Sequence, residues 1–196
     1  NESQIEEFTF LRQQRKKEAH NGTHFCLADF IAPRETGVFD SIGLFAVTVG
    51  EDVDKLSDKF KGEANDYDSI MVKALADRMA EALAEWSHLE VRKSHGYGQK
   101  ENLNLDDLIK ENYRGIRPAP GYPACPDHST KIKMWQLLDA EKRIQAKLTE
   151  NLAISPGSSV AGLYFHHPKA RYFHVGPIDR DQLESYCTMT GFSDGE

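Results

Sequence analysis

The order of strand-like and helix-like segments predicts an α+β fold, a twisted antiparallel β-sheet with flanking helices. Two short runs rich in β-branched and aromatic residues, 25–31 and 42–49, stand near the start with only a brief loop between them. Two more, 159–165 and 171–175, stand near the end, and most of the helical patterns are gathered between the pairs instead of alternating with single strands. No Gly-x-Gly-x-x-Gly follows a strand and no P-loop sequence occurs; the Gly96-Tyr97-Gly98 fragment is too short and follows a helix. A doubly wound nucleotide-binding sheet is therefore not expected. With 39% hydrophobic residues over 196 positions and no internal repeat, the chain reads as a single domain, 1–196.

Element by element, Ile5, Phe8 and Leu11 at helical spacing predict an amphipathic helix over 3–19, ending at the Asn21-Gly22 turn signal. The run 25–31, closed by Pro33, and the run 42–49 are expected to be antiparallel neighbours. Residues 51–62 read as a helix. Residues 66–92 read as a longer one, with Asp66 at its N-cap and Ile70, Val72, Leu75, Met79, Leu83 and Trp86 forming an apolar stripe. A loop over 94–104 and a short acidic helix over 105–112 follow. Residues 116–126 hold Pro118, Pro120, Pro123 and Pro126, too many missing N–H groups for a helix or a central strand, so a stiff extended ribbon is expected. Cap chemistry at 127–130 opens a helix over 131–149. The runs 159–165 and 171–175 flank His166-His167-Pro168-Lys169-Ala170 as a β-hairpin, and 179–190 is a closing helix.

Composition narrows the function classes. A net charge of −7 disfavours nucleic acid as a partner, because phosphate-binding surfaces need a surplus of Lys and Arg. The basic cluster 12–17 reads as a solvated helix face. No apolar run approaches membrane-spanning length and the polar N-terminus is no secretory signal, so no membrane partner is expected. Cys26, Cys125 and Cys187 are odd in number and far apart, which fits neither a disulfide framework nor a CxxC pair and agrees with a cytoplasmic location. The first residue, Asn1, raises the expectation of excision from a longer chain.

The proline ribbon is the best candidate site. Carbonyls around Ala119 and Pro120 are expected to be free acceptors, Gly121 to allow close approach of a ligand, Arg117 to offer a planar fork for a carboxylate, and Tyr122 a ring or hydroxyl. Together they suit a nucleoside bearing an amino acid; the blander alternative is a rigid surface loop. Asp77, Glu81 and Glu85, four apart on the long helix, read either as a solvated face or as carboxylates facing a cationic ligand or partner, and Arg117 could dock there if the ribbon crosses the helix. His166 and His167 are adjacent and would diverge on a strand, so no metal site is expected. Cys125 near His128 stands at a helix start, where His and Asp cap, and no catalytic residue is assigned.

The segment from Tyr113-Arg114-Gly115-Ile116-Arg117-Pro118-Ala119-Pro120-Gly121-Tyr122 through His128 closely resembles the signature of the activation domain of cobalamin-dependent methionine synthase. Also similar are Ile70 to Arg78 with Ala80-Glu81-Ala82, Cys26 to Phe30, Gly43-x-Phe45-Ala46-Val47-Thr48, Arg171-Tyr172-Phe173 and Ile178-x-Arg180-Asp181-Gln182. The likeness spans nearly the whole chain, so the fold expected is that of the activation domain. It implies S-adenosylmethionine as the bound cofactor and reductive methylation of inactive cob(II)alamin to methylcobalamin. The cobalamin would be carried by a separate domain or chain, with flavodoxin or a flavoprotein reductase as electron donor.

By the same resemblance Arg117 would hold the ligand carboxylate, backbone at Ala119 and Gly121 with Tyr122 would cradle it, and Tyr172 and Phe173 would contact the nucleoside. Glu81 would lie near the site, and Asp77 would meet the cobalamin domain. The chain resembles the greater C-terminal part of that domain; an upstream aspartate that contacts the ligand's amino group has no counterpart by motif, and the isolated chain is not expected to be catalytic. The alternative is an interaction module that docks a cobalamin-binding domain without using S-adenosylmethionine. The first reading fails if the ribbon lies far from Tyr172 with its guanidinium committed to a purely internal ion pair.

Overall fold

The computed structural model describes residues 6–15 and 22–192. Its centre is one antiparallel strand pair, β1 (Gly43–Thr48) with β4 (Ser159–Tyr164), running from Gly43 opposite Tyr164 to Thr48 opposite Ser159. Between them in the chain lie α1 (Asp52–Gly62), α2 (Asp66–Ser94), α3 (Leu105–Ile109), α4 (Thr130–Leu138), α5 (Ala140–Ile144) and a two-residue ladder of β2 (Lys147–Leu148) with β3 (Ile154–Ser155). The helix α6 (Arg180–Thr190) follows. The α+β class is borne out, although the sheet is smaller than the strand-like runs suggested.

Period-two alternation gives the strand pair two different faces. Leu44, Ala46, Ala161 and Leu163 join Leu27, Phe30, Met134, Trp135 and Phe165 in an apolar core on the α4–α5 side. Phe45, Val47, Val160 and Tyr164 turn the other way and meet Ala84 and Val91 of α2. Gly162 lies opposite Phe45, and a Cβ there would sit 2.7 Å from the Phe45 ring and 2.8 Å from the Pro118 carbonyl, so only glycine lets ring and ribbon close over this strand.

The hairpin expected from 159–165 and 171–175 does not form. β4 takes β1 as its partner on one edge, and on the other edge the proline ribbon pairs with it: Ile116 and Phe165 exchange N–H···O bonds of 2.9 and 3.0 Å, and Leu163 N donates to the Pro118 carbonyl at 2.9 Å. Proline keeps its carbonyl, so the ribbon can serve as a short edge partner though not as a central strand. Residues 171–175 form no strand and lie beside the ribbon instead, tied by Val175 N to the Pro123 carbonyl at 2.9 Å.

Three further expectations are corrected. The run 25–31 contains a 3-10 turn, Leu27–Phe30, whose entry is fixed by Asp29 accepting from Cys26 N at 3.0 Å. Residues 6–15 are extended and not helical: Arg12 bridges to Cys26, its guanidinium grips Asp29 at 2.5 and 2.6 Å, and Phe10 packs edge-on to Phe165. The remainder of the 3–19 segment, including Ile5, lies outside the described residues. The helix expected over 131–149 is broken, with Asp139 and Gln145 both left-handed. Those two turns wrap the chain around Trp135, whose Nε1–H donates to the Ala146 carbonyl at 2.8 Å.

The largest difference concerns α2, roughly 44 Å long by its rise per residue. Asn65, not Asp66, caps it, accepting from Asp68 N. Its buried face is Ser69, Ala76, Ala80, Ala84, His88 and Arg92, whereas Leu75 is 56%, Met79 60% and Trp86 58% exposed. Small residues at four-residue steps let the helix approach α1 and the sheet closely, and at the α1 end Ser57 and Ser69 share a buried 2.8 Å hydroxyl contact. The large apolar residues are displaced to the opposite side.

Candidate functional site

The ribbon reaches α2 because its first turn is held on the edge of β4. From there Arg117 extends to α2, and its Nη1 lies 2.7 Å from Glu85 Oε2 and donates to the Tyr113 hydroxyl, which itself donates to Glu85 at 3.1 Å. Nη2 lies 3.3 Å from Glu111 Oε1. The backbone N–H of Arg117 donates to the Tyr172 hydroxyl at 3.0 Å, so the ribbon does lie beside Tyr172. The guanidinium itself is engaged internally, by both Glu85 and Glu111. Burial opposes its charge, but Tyr113, Glu85, Tyr172 and Glu111 outweigh it and raise the pKa.

These groups surround a cavity of about 300 Å³, lined by Glu81, Glu111, Arg117, Ala119, Tyr122, Tyr172 and Phe173 with Phe45, Pro118, Pro123, Ala124 and Val160. That size stands at the lower end of the range for small-molecule sites, roughly 300–1,000 Å³. Six of the seven expected residues line it, and Gly121 does not. At φ +98 Gly121 donates its N–H to the Cys125 carbonyl at 2.8 Å, and a Cβ there would lie 2.2 Å from the His128 ring. The close neighbour that requires glycine is thus His128. The Ala119 carbonyl is also less free than expected, accepting Tyr122 N at 3.2 Å to close a tight turn.

Electrostatics divide the cavity wall into a charged end and an apolar one. Burial, with help from Glu85, raises the Glu111 carboxyl above its usual range against the pull of Arg117. Burial pushes the Tyr172 phenol up to about 12, keeping it a neutral hydroxyl. Phe45, Val160 and Phe173 supply the apolar wall. Behind it Tyr164 is stacked between Phe45 at 4.7 Å and His88 at 4.9 Å, and Arg92 lies 3.7 Å over the Tyr113 ring. His88 is lowered to about 3 by burial and by Arg92 and Arg117, so at neutral pH it is an uncharged ring.

The acidic row on α2 separates into three roles. Asp77 accepts from the Ser158 hydroxyl at 2.8 Å, Glu81 faces the cavity and Glu85 anchors Arg117. His166 pairs with Asp40 at 3.1 Å, and among the described residues no group of three or more His, Cys, Asp or Glu is placed to hold a metal. The Cys125 thiol is pushed up to about 12 by burial.

The vitamin B12 dependent methionine synthase activation domain model matches residues 1–191. The chain belongs to that family. A solved structure described as the MetH reactivation domain bound to AdoHcy superposes with a TM-score of 0.90 at 53% sequence identity. The match covers 94% of this chain and 56% of that one, so this chain spans little more than half the length of its solved relative. Among the described residues no helix is long and apolar enough to cross a membrane.

For this activation-domain chain, sequence reasoning missed Glu111 and Tyr113 as partners of Arg117, and Phe45 and Val160 as cavity wall. Phe45 and Val160 were visible only as strand residues; which face they take follows from the pairing of β1 with β4. Glu111 has a left-handed backbone, φ 53, two residues past α3, and nothing in the residue type signals that turn.

Proposed function

We propose that the cavity holds S-adenosylmethionine and that the chain, acting with a cobalamin-bearing domain, supports reductive methylation of cob(II)alamin to methylcobalamin in methionine synthase. The observation that carries this reading is the convergence of Arg117, Tyr122, Tyr172, Phe173 and Glu81 on one cavity, from three separate stretches of sequence. The donor set fits the ligand. A guanidinium has five N–H donors, and Glu85, Tyr113 and Glu111 take only some of them. A ligand carboxylate would take the place of Glu111, the longer of the two carboxylate contacts, while Glu85 keeps the fork oriented. Phe45, Val160 and Phe173 would receive the nucleoside, and the exposed Glu81 would face the cationic end of the ligand.

When bound, S-adenosylmethionine supplies an electrophilic methyl group on its sulfonium. This chain's residues bind, orient and partly dehydrate the ligand. They provide no nucleophile, and the isolated chain performs no turnover. The cobalamin domain and a flavodoxin or flavoprotein reductase are the partners of the assembled system, in the cytoplasm.

Titration calorimetry with S-adenosylmethionine tests the reading. Arg117→Ala should weaken binding by about 1.5–3 kcal/mol, the scale of a charge-assisted hydrogen bond. Saturable binding that is indifferent to Arg117, or no binding at millimolar ligand, would overturn the assignment of this cavity. Capture of a cobalamin-binding domain unaffected by Arg117→Ala would then favour a docking module that does not use the nucleoside.

A further inference from the structure

A second cavity adjoins the first through Phe173, whose ring packs 5.8 Å from Phe25 and 6.3 Å from Phe30. It is open, about 580 Å³, and lined by Thr23, Phe25, Asp29, Phe30, His167, Lys169 and Arg171. Its cationic side chains come from one tight turn after β4. Ala170 N donates to the His167 carbonyl at 2.9 Å and Lys169 N donates to His167 Nδ1 at 3.1 Å. Because Nδ1 accepts a backbone N–H, the ring hydrogen of a neutral His167 is on Nε2, which remains a donor. The His167 ring is stacked on Phe30, and the Arg171 guanidinium lies 5.5 Å over the Phe25 ring.

The charge balance of this cleft differs from that of the chain. Asp29, the one carboxylate among the described residues of the lining, is neutralised by Arg12, which takes both of its oxygens, while Cys26 N takes one of them as well. Arg12 lowers the Asp29 pKa accordingly. Lys169 and Arg171 have no ion-pair partner among the described residues. On a chain of net charge −7, two uncompensated cations and an imidazole donor therefore face one cavity beside two aromatic rings. An arginine fork, an ammonium and an N–H donor match the tetrahedral oxygens of phosphate.

We propose that this cleft binds a phosphate-type oxyanion, free or as the monoester of a flat ring compound. The proposal is independent of what occupies the neighbouring cavity. Calorimetry at constant ionic strength with inorganic phosphate and with phenyl phosphate tests it. Saturable binding is expected, weakened about tenfold or more by Lys169→Gln together with Arg171→Gln, the loss of charge-assisted contacts. The pair Lys142→Gln and Arg143→Gln on α5 should leave it unchanged. Tighter phenyl phosphate assigns a ring-borne ester and equal constants assign the free ion; either result supports the cleft. No saturable binding, or weakening no greater in the 169/171 variant than in the 142/143 variant, overturns it. Both variants alter exposed side chains, and circular dichroism checks that they fold.

Discussion

The two faces of the β1–β4 pair were built by different chemistry. Toward α4 and α5 the contacts are mainly apolar, with Leu163, Met134 and Phe165 fully buried. Toward α2 the filling is polar and aromatic: Tyr164 between Phe45 and His88, then Tyr113, Arg92 and the pair Glu85–Arg117. The first face supplies stability. The second orients a guanidinium at the cavity mouth, and it consists of residues that a purely stabilising core would not select, since taking ionised groups out of water is costly. The same four residues of β1 and β4 that wall this face, Phe45, Val47, Val160 and Tyr164, alternate along the chain with those that serve the other.

If that division holds, truncation on the apolar face should have the largest effect on folding. Leu163→Ala should destabilise the chain by about 2–5 kcal/mol in urea unfolding, the scale for deleting buried methyl groups, while ligand affinity measured well below the transition changes little. A loss of affinity as large as the loss of stability would dissolve the distinction. On the α2 face, Ala84→Leu enlarges a fully buried residue beside Phe45 and Tyr164. Overpacking there should cost about 1–3 kcal/mol and also disturb ligand binding through the displaced rings.

His88 gives the comparison a pH signature. Its folded pKa is depressed from 6.5 to about 3, so below 6.5 the unfolded chain takes a proton that the folded chain refuses. Its contribution to stability is present above 6.5 and is lost on descent toward about 3, with a slope of about 1.4 kcal/mol per pH unit. Unfolding of the wild type and of His88→Leu across that window should differ by this slope, and parallel profiles would show that the ring is not held neutral. The smallest effect is expected outside both faces: Leu75→Gln, on the exposed side of α2, should change stability by no more than about 0.5 kcal/mol.

Helix α2 also shows why some of the molecule was legible in the sequence and some was not. Its existence and near-exact bounds followed from propensity and length, and the docking of Arg117 onto its acidic row was anticipated. Which side it buries was not. Ile70, Leu75, Met79 and Leu83 are larger and more apolar than Ala76, Ala80 and Ala84, yet alanine permits the closest approach to a sheet that already presents Tyr164 and Phe45. Periodicity reports that a helix has two unlike faces, and the partner decides which one is covered.

By itself, the sequence determined the α2 span, the runs that become β1 and β4, the stiff ribbon with Arg117, and six of the residues that line the first cavity, because proline restriction, helix length and side-chain chemistry act over a few neighbouring positions. Only the tertiary structure decided that β4 pairs with β1 and not with 171–175, that Gly121 accommodates His128, and that Glu111 and Tyr113 join Glu85 in holding Arg117. Those outcomes depend on contacts between distant segments, whose choice of partner is set by how all of them pack together at once and is encoded in no single stretch of chain.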